Sequence, residues 1–357
     1  MSNPTHFVSQ NPLEQIADRL KNRSAGLHRI KLSDFDPSPK SVDLKELDFF
    51  LLSHECDLGV RLNGGRRGAI HGPQVIRELL IRFPLHAPHF TTSPILPHII
   101  LSDGETPKAS PNQPLSLETI QAEHIDKLLY NWKNIKQLPK ILSLGGGHDH
   151  LFVAIKALLL KKISVKPDYR LTLINLDPHL DTRTDHWAHS GTPIRQLAKE
   201  FPKHLRIIQI GTNEHCNPPE NFRDMPSMKV INIKMFDHFL QEFGLNQCLE
   251  RILKDEINPL KIDETFLSID ADIISSSQMQ AVSAVAFSGI DIKVINYFLN
   301  FLHKYSRLTG LGIYEYNPLY EDLSIKGGRI LSALLLDFIN LNQETKKHAS
   351  EITDHQK

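Results

Sequence analysis

A three-layer α/β/α sandwich around a mainly parallel central sheet is the fold predicted for this chain, on three observations. Short apolar runs alternate with stretches of helical period, the rhythm of strand–helix–strand units. Several of these runs carry Ile, Leu, Val and Phe on both faces, as strands covered on both sides do. Clusters of charged residues sit directly after three of them, at the carboxyl ends where open α/β sheets build their sites.

Residues 1–40 read as an irregular arm with one modest helix at 12–20. Strands are then predicted at 48–52, 98–101, 140–144, 171–177, 206–211, 229–233, 265–270 and 310–314. Between them fall helices at 73–82, 117–134, 150–160, 193–201, 236–254, 291–306 and 328–339. In the helix at 117–134, Leu128, Leu129 and Trp132 share one side, a stripe that core packing explains. Pro107, Pro111 and the 112–114 segment mark a loop, after which the alternation resumes, so 41–342 reads as a single catalytic domain. The last stretch, 343–357, is polar and reads as a frayed tail.

Composition narrows the function classes. The 357 residues balance 41 basic against 41 acidic side chains, so no basic stripe argues for nucleic acid. Three cysteines, Cys56, Cys216 and Cys248, are an odd number without CxxC spacing, which suggests neither a disulfide framework nor a thiolate zinc site. The first twenty residues lack a basic stretch followed by an apolar core, and no apolar run reaches membrane-spanning length. A cytoplasmic protein without a membrane partner is the expectation. Nineteen histidines are the unusual count. Of these His86, His89, His98 and His348 read as surface or loop residues.

The strand at 140–144 runs into Gly145, Gly146, Gly147, His148, Asp149 and His150, and the glycines permit a sharp turn and close backbone approach. The strand at 171–177 ends in Asp177-Pro178-His179-Leu180-Asp181. In extended chain Asp177, His179 and Asp181 point to one side. The strand at 265–270 ends in Asp270-Ala271-Asp272, again two same-side carboxylates. Buried carboxylates so close repel one another unless a cation joins them. The pooled set, His148, Asp177, His179, Asp181, Asp270 and Asp272, mixes imidazole with carboxylate and suits manganese, with other divalent transition metals as substitutes. Six ligands exceed the need of one open ion and point to two, sharing a polarised water. Glu315, before Asn317-Pro318, closes the last strand as a carboxylate suited to a cationic amidine or guanidine.

These ordered motifs resemble the ureohydrolase (arginase) superfamily, whose ligand motifs read GGxH, DxHxD and SxDxD with a later glutamate before Asn-Pro. Here they stand at 145–148, 177–181, 268–272 and 315–318, and the match spans about 59–341. The resemblance implies an arginase-like fold, two Mn2+ ions and a trimer or hexamer. It assigns His148, Asp177, Asp181 and Asp270 to one ion, and His179, Asp177, Asp270 and Asp272 to the other. Three features are similar to the formimidoylglutamase branch: the 59–69 segment resembling GVRxNxGRxGA, Arg183 in Asp181-Thr182-Arg183, and Ser190-Gly191-Thr192-Pro193. Departures stand at Pro178, where the family usually has alanine, and at Gln280-Ala281, where it has Pro-Gly.

The reaction so implied is hydrolysis of N-formimino-L-glutamate to glutamate and formamide. Asp181, Glu315 and His189 are the candidate catalytic residues. Arg183, Arg66, Ser190 and Glu315 are the candidate substrate contacts, since a guanidinium grips a carboxylate through paired hydrogen bonds. Arg66 serves equally as a structural brace. Two other readings stand beside this one: a ureohydrolase of a guanidino substrate such as arginine or agmatine, and a metal-binding homologue without turnover.

Overall fold

The computed structural model describes residues 31–34, 49–80, 95–103, 116–225, 228–260 and 264–354. Nine strands form its sheet: β1 (Lys31–Asp34), β2 (Phe49–Glu55), β3 (Ile95–Asp103), β4 (Lys140–Gly145), β5 (Leu171–Leu176), β6 (Leu205–Thr212), β7 (Met228–Asn232), β8 (Glu264–Asp270) and β9 (Arg307–Tyr314). Eight α-helices accompany them in the described residues: α1 (Leu58–Leu62), α2 (Gly72–Leu80), α3 (Leu117–Trp132), α4 (His150–Ile163), α5 (Pro193–Glu200), α6 (Ile233–Leu260), α7 (Ile292–Tyr305) and α8 (Lys326–Asp354). The strand order is β1-β3-β2-β4-β9-β8-β5-β6-β7. Every adjacent pair is parallel, which goes further than the mainly parallel sheet expected.

The strands are apolar on both faces because helices cover both. Phe49, Leu51, Leu142, Leu144, Ile174 and Leu176 enter one core with α2, α6, α7 and α8. Their sequence neighbours Phe50, Leu52, Ile141, Leu171 and Leu173 enter the other with α3, α4 and α5. The two-residue period of a strand thus splits one apolar run between two cores. The stripe on α3 behaves as expected, with Leu128 and Trp132 fully buried.

Four differences from the expected elements have local causes. Lys31–Asp34 pairs in parallel with Ile95–His98 as an edge strand, although its polar composition read as an irregular arm. The expected single helix at 236–254 is longer, starts at Ile233, and is broken at Gly244, whose φ of 70° and ψ of 169° lie outside helical space. The last helix continues to Asp354, through the segment read as a frayed tail. The α1 turn was not anticipated. The expected helix at 12–20 and the 107–114 loop lie outside the described residues, as do His86 and His89.

The chain fills β4 and then crosses to β5, leaving a gap that β9 and β8 later occupy. A parallel sheet opens a crevice at the carboxyl ends around such a switch. The four adjacent strands β4, β9, β8 and β5 therefore end side by side, each carrying one of the polar motifs.

Candidate metal centre

At the end of β4, the backbone doubles back with no room for side chains. A Cβ on Gly146 would stand 2.1 Å from the Cys56 carbonyl oxygen, and one on Gly145 would stand 2.3 Å from the Tyr314 ring. This turn places the His148 imidazole over Tyr314, ring centroids 5.0 Å apart and nearly parallel. His148 Nε2 lies 3.0 Å from Ser268 Oγ, so Nδ1 faces the carboxylates. Three oxygens surround it: Asp181 Oδ2 at 2.9 Å, Asp177 Oδ2 at 3.1 Å and Asp270 Oδ2 at 3.1 Å.

The other oxygen of Asp177 belongs to a second group. Asp177 Oδ1 lies 3.5 Å from His179 Nδ1, which in turn lies 3.4 Å from Asp272 Oδ2. All six expected ligands thus meet in two sets, His148-Asp177-Asp181-Asp270 and Asp177-His179-Asp272, with Asp177 common to both. Asp270 groups with the first set only, whereas the resemblance placed it on both ions. His179 is the open member, its side chain 30% exposed against 0% for Asp177.

Residues not singled out from the sequence hold these ligands still. Asn175 donates to Asp177 Oδ2 and to Gln209, and Gln209 donates to the Leu180 carbonyl. Asn217 accepts from the Leu180 N–H and donates to the Pro178 carbonyl. Pro178 is accommodated here because its position supplies only an acceptor, taken also by the Asn213 N–H. The Asp177 carboxylate accepts the His179 N–H at 2.7 Å, so the turn stays closed and His179 stays in place. Asn317 donates its backbone N–H to Ala281, which anchors the departing 280–281 segment.

Five buried carboxylates, Asp177, Asp181, Asp270, Asp272 and Glu315, share this volume with two imidazoles. Burial and the neighbouring Asp177 push Asp181 up to about 6, and burial with Asp270 pushes Glu315 up to about 8. Burial and Asp270 likewise hold Asp272 well above the usual range. Burial would lower His148 and His179, but the surrounding carboxylates outweigh it and raise both. Asp177 goes the other way, to about 2, because hydrogen bonds from both imidazoles overcome its burial. The group as a whole holds on to protons, which is what an excess of buried negative charge does when protons are the only cations at hand. Among the described residues Asp272 Oδ1 is buried without a hydrogen-bond partner, and the one N–H that His148 Nδ1 can carry cannot satisfy all three carboxylate oxygens around it. Imidazole and carboxylate donors in that state fit divalent transition-metal ions.

The sets open into a cleft of about 260 Å³. It is lined by His148, His179, Asp181, Asp270, Asp272 and Glu315, and by the expected substrate contacts Arg66, Arg183 and Ser190. Glu315 Oε1 accepts the His148 N–H at 2.9 Å. Asn63, also at the cleft, donates to Ser190 Oγ. Arg183 is exposed, and no carboxylate among the described residues pairs with its guanidinium. Arg66 is committed differently. It donates to the Ser283 and Val282 carbonyls and stacks 3.8 Å over Tyr320, so it acts at least as a brace of that loop.

His189 departs from its expected catalytic place. It is buried, its Nε2 bonds Asp185 at 2.8 Å and its Nδ1 accepts the Gly191 N–H at 3.0 Å. Both ring nitrogens are spent inside its own loop, and the ring is not part of the cleft lining.

The arginase family model matches residues 48–338. The chain belongs to the arginase family. Within that family it is 30% identical over 291 residues to a formimidoylglutamase of Klebsiella pneumoniae subsp. pneumoniae, spanning 80% of this chain and 83% of the relative. A formimidoylglutamase of Photorhabdus laumondii subsp. laumondii is 29% identical over 337 residues, 93% of this chain and 95% of that one. Solved arginase-family folds superpose on it. The formimidoylglutamase of Bacillus subtilis subsp. subtilis does so with a TM-score of 0.69 at 17% identity, covering 91% of this chain and 98% of that one. The Trypanosoma cruzi formiminoglutamase with Mn2+ gives 0.66 at 21% identity, covering 87% and 99%. The chain is accordingly a carbon–nitrogen hydrolase of this family. No helix among its described residues is long and apolar enough to cross a membrane.

Proposed function

We propose that this chain hydrolyses N-formimino-L-glutamate to L-glutamate and formamide on a centre of two Mn2+ ions. The carrying observation is Asp177, a buried carboxylate presenting one oxygen to His148 and the other to His179, beneath a cleft also lined by the Arg183 guanidinium, with which no carboxylate among the described residues pairs. His148, Asp177, Asp181 and Asp270 would hold one ion, and His179, Asp177 and Asp272 the other. Ions so held polarise water toward hydroxide at neutral pH and stabilise the charge that develops on the substrate.

The protein's own groups supply the rest. Glu315 is fixed by the His148 N–H and receives the amidine N–H groups of the substrate. Asp181, which lines the cleft, would take a proton from the attacking water and pass it to the departing amine of glutamate. Arg183 clamps a substrate carboxylate, and the Asn63–Ser190 pair shapes the adjoining wall. Agmatine has no carboxylate to use that guanidinium. The names carried by the Klebsiella and Photorhabdus relatives favour the same substrate.

The test is a product screen of the manganese-loaded protein against formiminoglutamate, arginine and agmatine. Formamide and glutamate from the first alone is the expected result. Urea from arginine or agmatine, with no formamide from formiminoglutamate, would overturn the substrate assignment.

A further inference from the structure

Behind the turn that carries His148 lies a second cluster that the hydrolytic centre does not use. His54 on β2, His124 on α3 and His150 at the first position of α4 meet in the interior, His54 and His150 fully buried and His124 5% exposed. Their rings stand 4.7 Å (His54–His150), 5.8 Å (His54–His124) and 5.9 Å (His124–His150) apart between centroids. One nitrogen from each lies within 4.8 Å of the others. Both ring nitrogens of His54, and Nδ1 of His124 and of His150, are buried without a hydrogen-bond partner among the described residues.

Three imidazoles facing one another with unpaired nitrogens are costly as a plain core. A buried polar atom left unpaired costs about 1–3 kcal/mol, and leucines would fill the same space without that cost. A second observation shows what the arrangement suits. His150 Nε2 lies 3.1 Å from the Cys56 carbonyl and 3.5 Å from Asp149 Oδ2. A carbonyl only accepts, so Nε2 carries the proton and Nδ1 presents a lone pair to the cluster. Metal-binding histidines are oriented in this way, with the far N–H tied to a carbonyl or carboxylate. Asp149, wholly buried and, among the described residues, without a hydrogen bond to either oxygen, stands beside the ring. Burial keeps His124 neutral down to about pH 3, and burial with the neighbouring rings keeps His54 well below its ordinary value.

We infer that His54, His124 and His150 bind a third divalent ion of the zinc class, separate from the carboxylate centre and structural in role. Three neutral imidazoles favour zinc, cobalt or nickel over manganese, whereas the carboxylate-rich centre suits manganese. Tetrahedral ligation with bonds of about 2.0–2.1 Å brings nitrogens to roughly 3.3 Å from one another, which requires the stacked His54 and His150 rings, 21° apart in plane, to turn toward a common point. Such an ion ties β2, α3 and α4 together two residues beyond His148, and so stiffens the turn that delivers that ligand.

Cobalt(II) is the probe. Full-length protein is stripped with chelator, loaded with cobalt(II), desalted and measured for bound metal and visible absorption. The wild-type chain is expected to hold about one equivalent per chain more than His124→Leu, with the absorption of a four-coordinate imidazole site lost in that variant. Equal retention and equal spectra in the two proteins would overturn the proposal, whether cobalt occupies the carboxylate centre alone or surface histidines. Should His124→Leu fail to fold, the Asp177→Asn/Asp272→Asn double variant serves instead, because it disables the carboxylate centre and keeps the three histidines. X-ray absorption of its cobalt is expected to show imidazole ligands. Absence of bound cobalt, or oxygen ligation only, would overturn the proposal.

Discussion

Removing manganese from the proposed centre should cost the protein most of the stability that site can lend, and the loss should follow the way Asp177 is shared. A ligand that binds only the native state stabilises it by about 2.7 kcal/mol at a hundredfold excess over its dissociation constant. Two sites filled to that degree give roughly 5 kcal/mol, which for a chain of this size is on the order of 10 °C in melting temperature. The two ligand sets share one side chain, so the variants grade the effect. Asp272→Asn touches only the set with His179 and should keep about half of the manganese-induced shift. Asp177→Asn removes a charged ligand from both sets and should abolish nearly all of it. Circular-dichroism melts of stripped protein, with and without added manganese, measure all three chains. A shift of wild-type size in Asp177→Asn would refute the shared-carboxylate reasoning, and no shift in the wild type would refute the metal centre altogether.

Arg183→Ala should raise KM for formiminoglutamate by about 10–100-fold, the loss of a charge-assisted hydrogen bond of about 1.5–3 kcal/mol, and leave the melting temperature nearly unchanged because the side chain is exposed. Steady-state kinetics beside a melt separates the two. His189→Ala should do the reverse, destabilising the fold by about 1–3 kcal/mol while the rate per folded molecule falls less than about tenfold. A thousandfold loss of kcat with unchanged stability would restore the catalytic role. Lys140 is half-buried, and that burial pulls its ammonium down to about 8 although Glu264 opposes the shift. Between pH 8 and its ordinary value of 10.5 the unfolded chain holds a proton that the folded chain has released, so stability rises with pH across that window. Denaturant titrations over this range should show a steeper rise in the wild type than in Lys140→Met, and parallel profiles would count against it.

The clustering of the six candidate ligands was legible because their chemistry and spacing coincide. DxHxD and DxD at strand ends put carboxylates at the mouth of the sheet, and burial of that much negative charge has few explanations besides a cation. Turns rather than extended chain bring them together, since β5 ends at Leu176, Asp181 has a φ of 52° and Asp272 stands in a 3-10 turn. Arg66 and His189 were harder for a common reason: sequence names a side chain but not the direction it takes. His189 stands beside Ser190, which lines the cleft, yet its ring turns to Asp185 four residues earlier. The edge strand β1 was missed because Lys31 and Asp34 interrupt any apolar pattern, and edge strands often carry charge. The supporting residues Asn175 and Asn217 were equally silent, and Ser268 showed only as the first position of SxDxD, without its role. Each acts by a hydrogen bond to a ligand or to the turn between ligands, and an uncharged polar residue in or beside a strand carries no such signal by type.

Backbone conformation marks the site as strongly as charge does, and it was hidden for a different reason. Asp181 and Glu315 have φ values of 52° and 63°, in the left-handed region that residues with a side chain seldom adopt. Each such residue costs on the order of 1–3 kcal/mol and persists only where its surroundings enforce it. The surroundings are visible here. The Glu315 N–H donates to the Gly146 carbonyl, and the Asp181 carbonyl accepts from the Ile194 and Arg195 N–H groups at the start of α5. In both cases the turn redirects a chain leaving the sheet so that a carboxylate points back across the strand ends. Glycine would take either conformation without cost and would lose the carboxylate. That aspartate and glutamate stand there means the fold accepts local strain where the candidate catalytic carboxylates line the cleft.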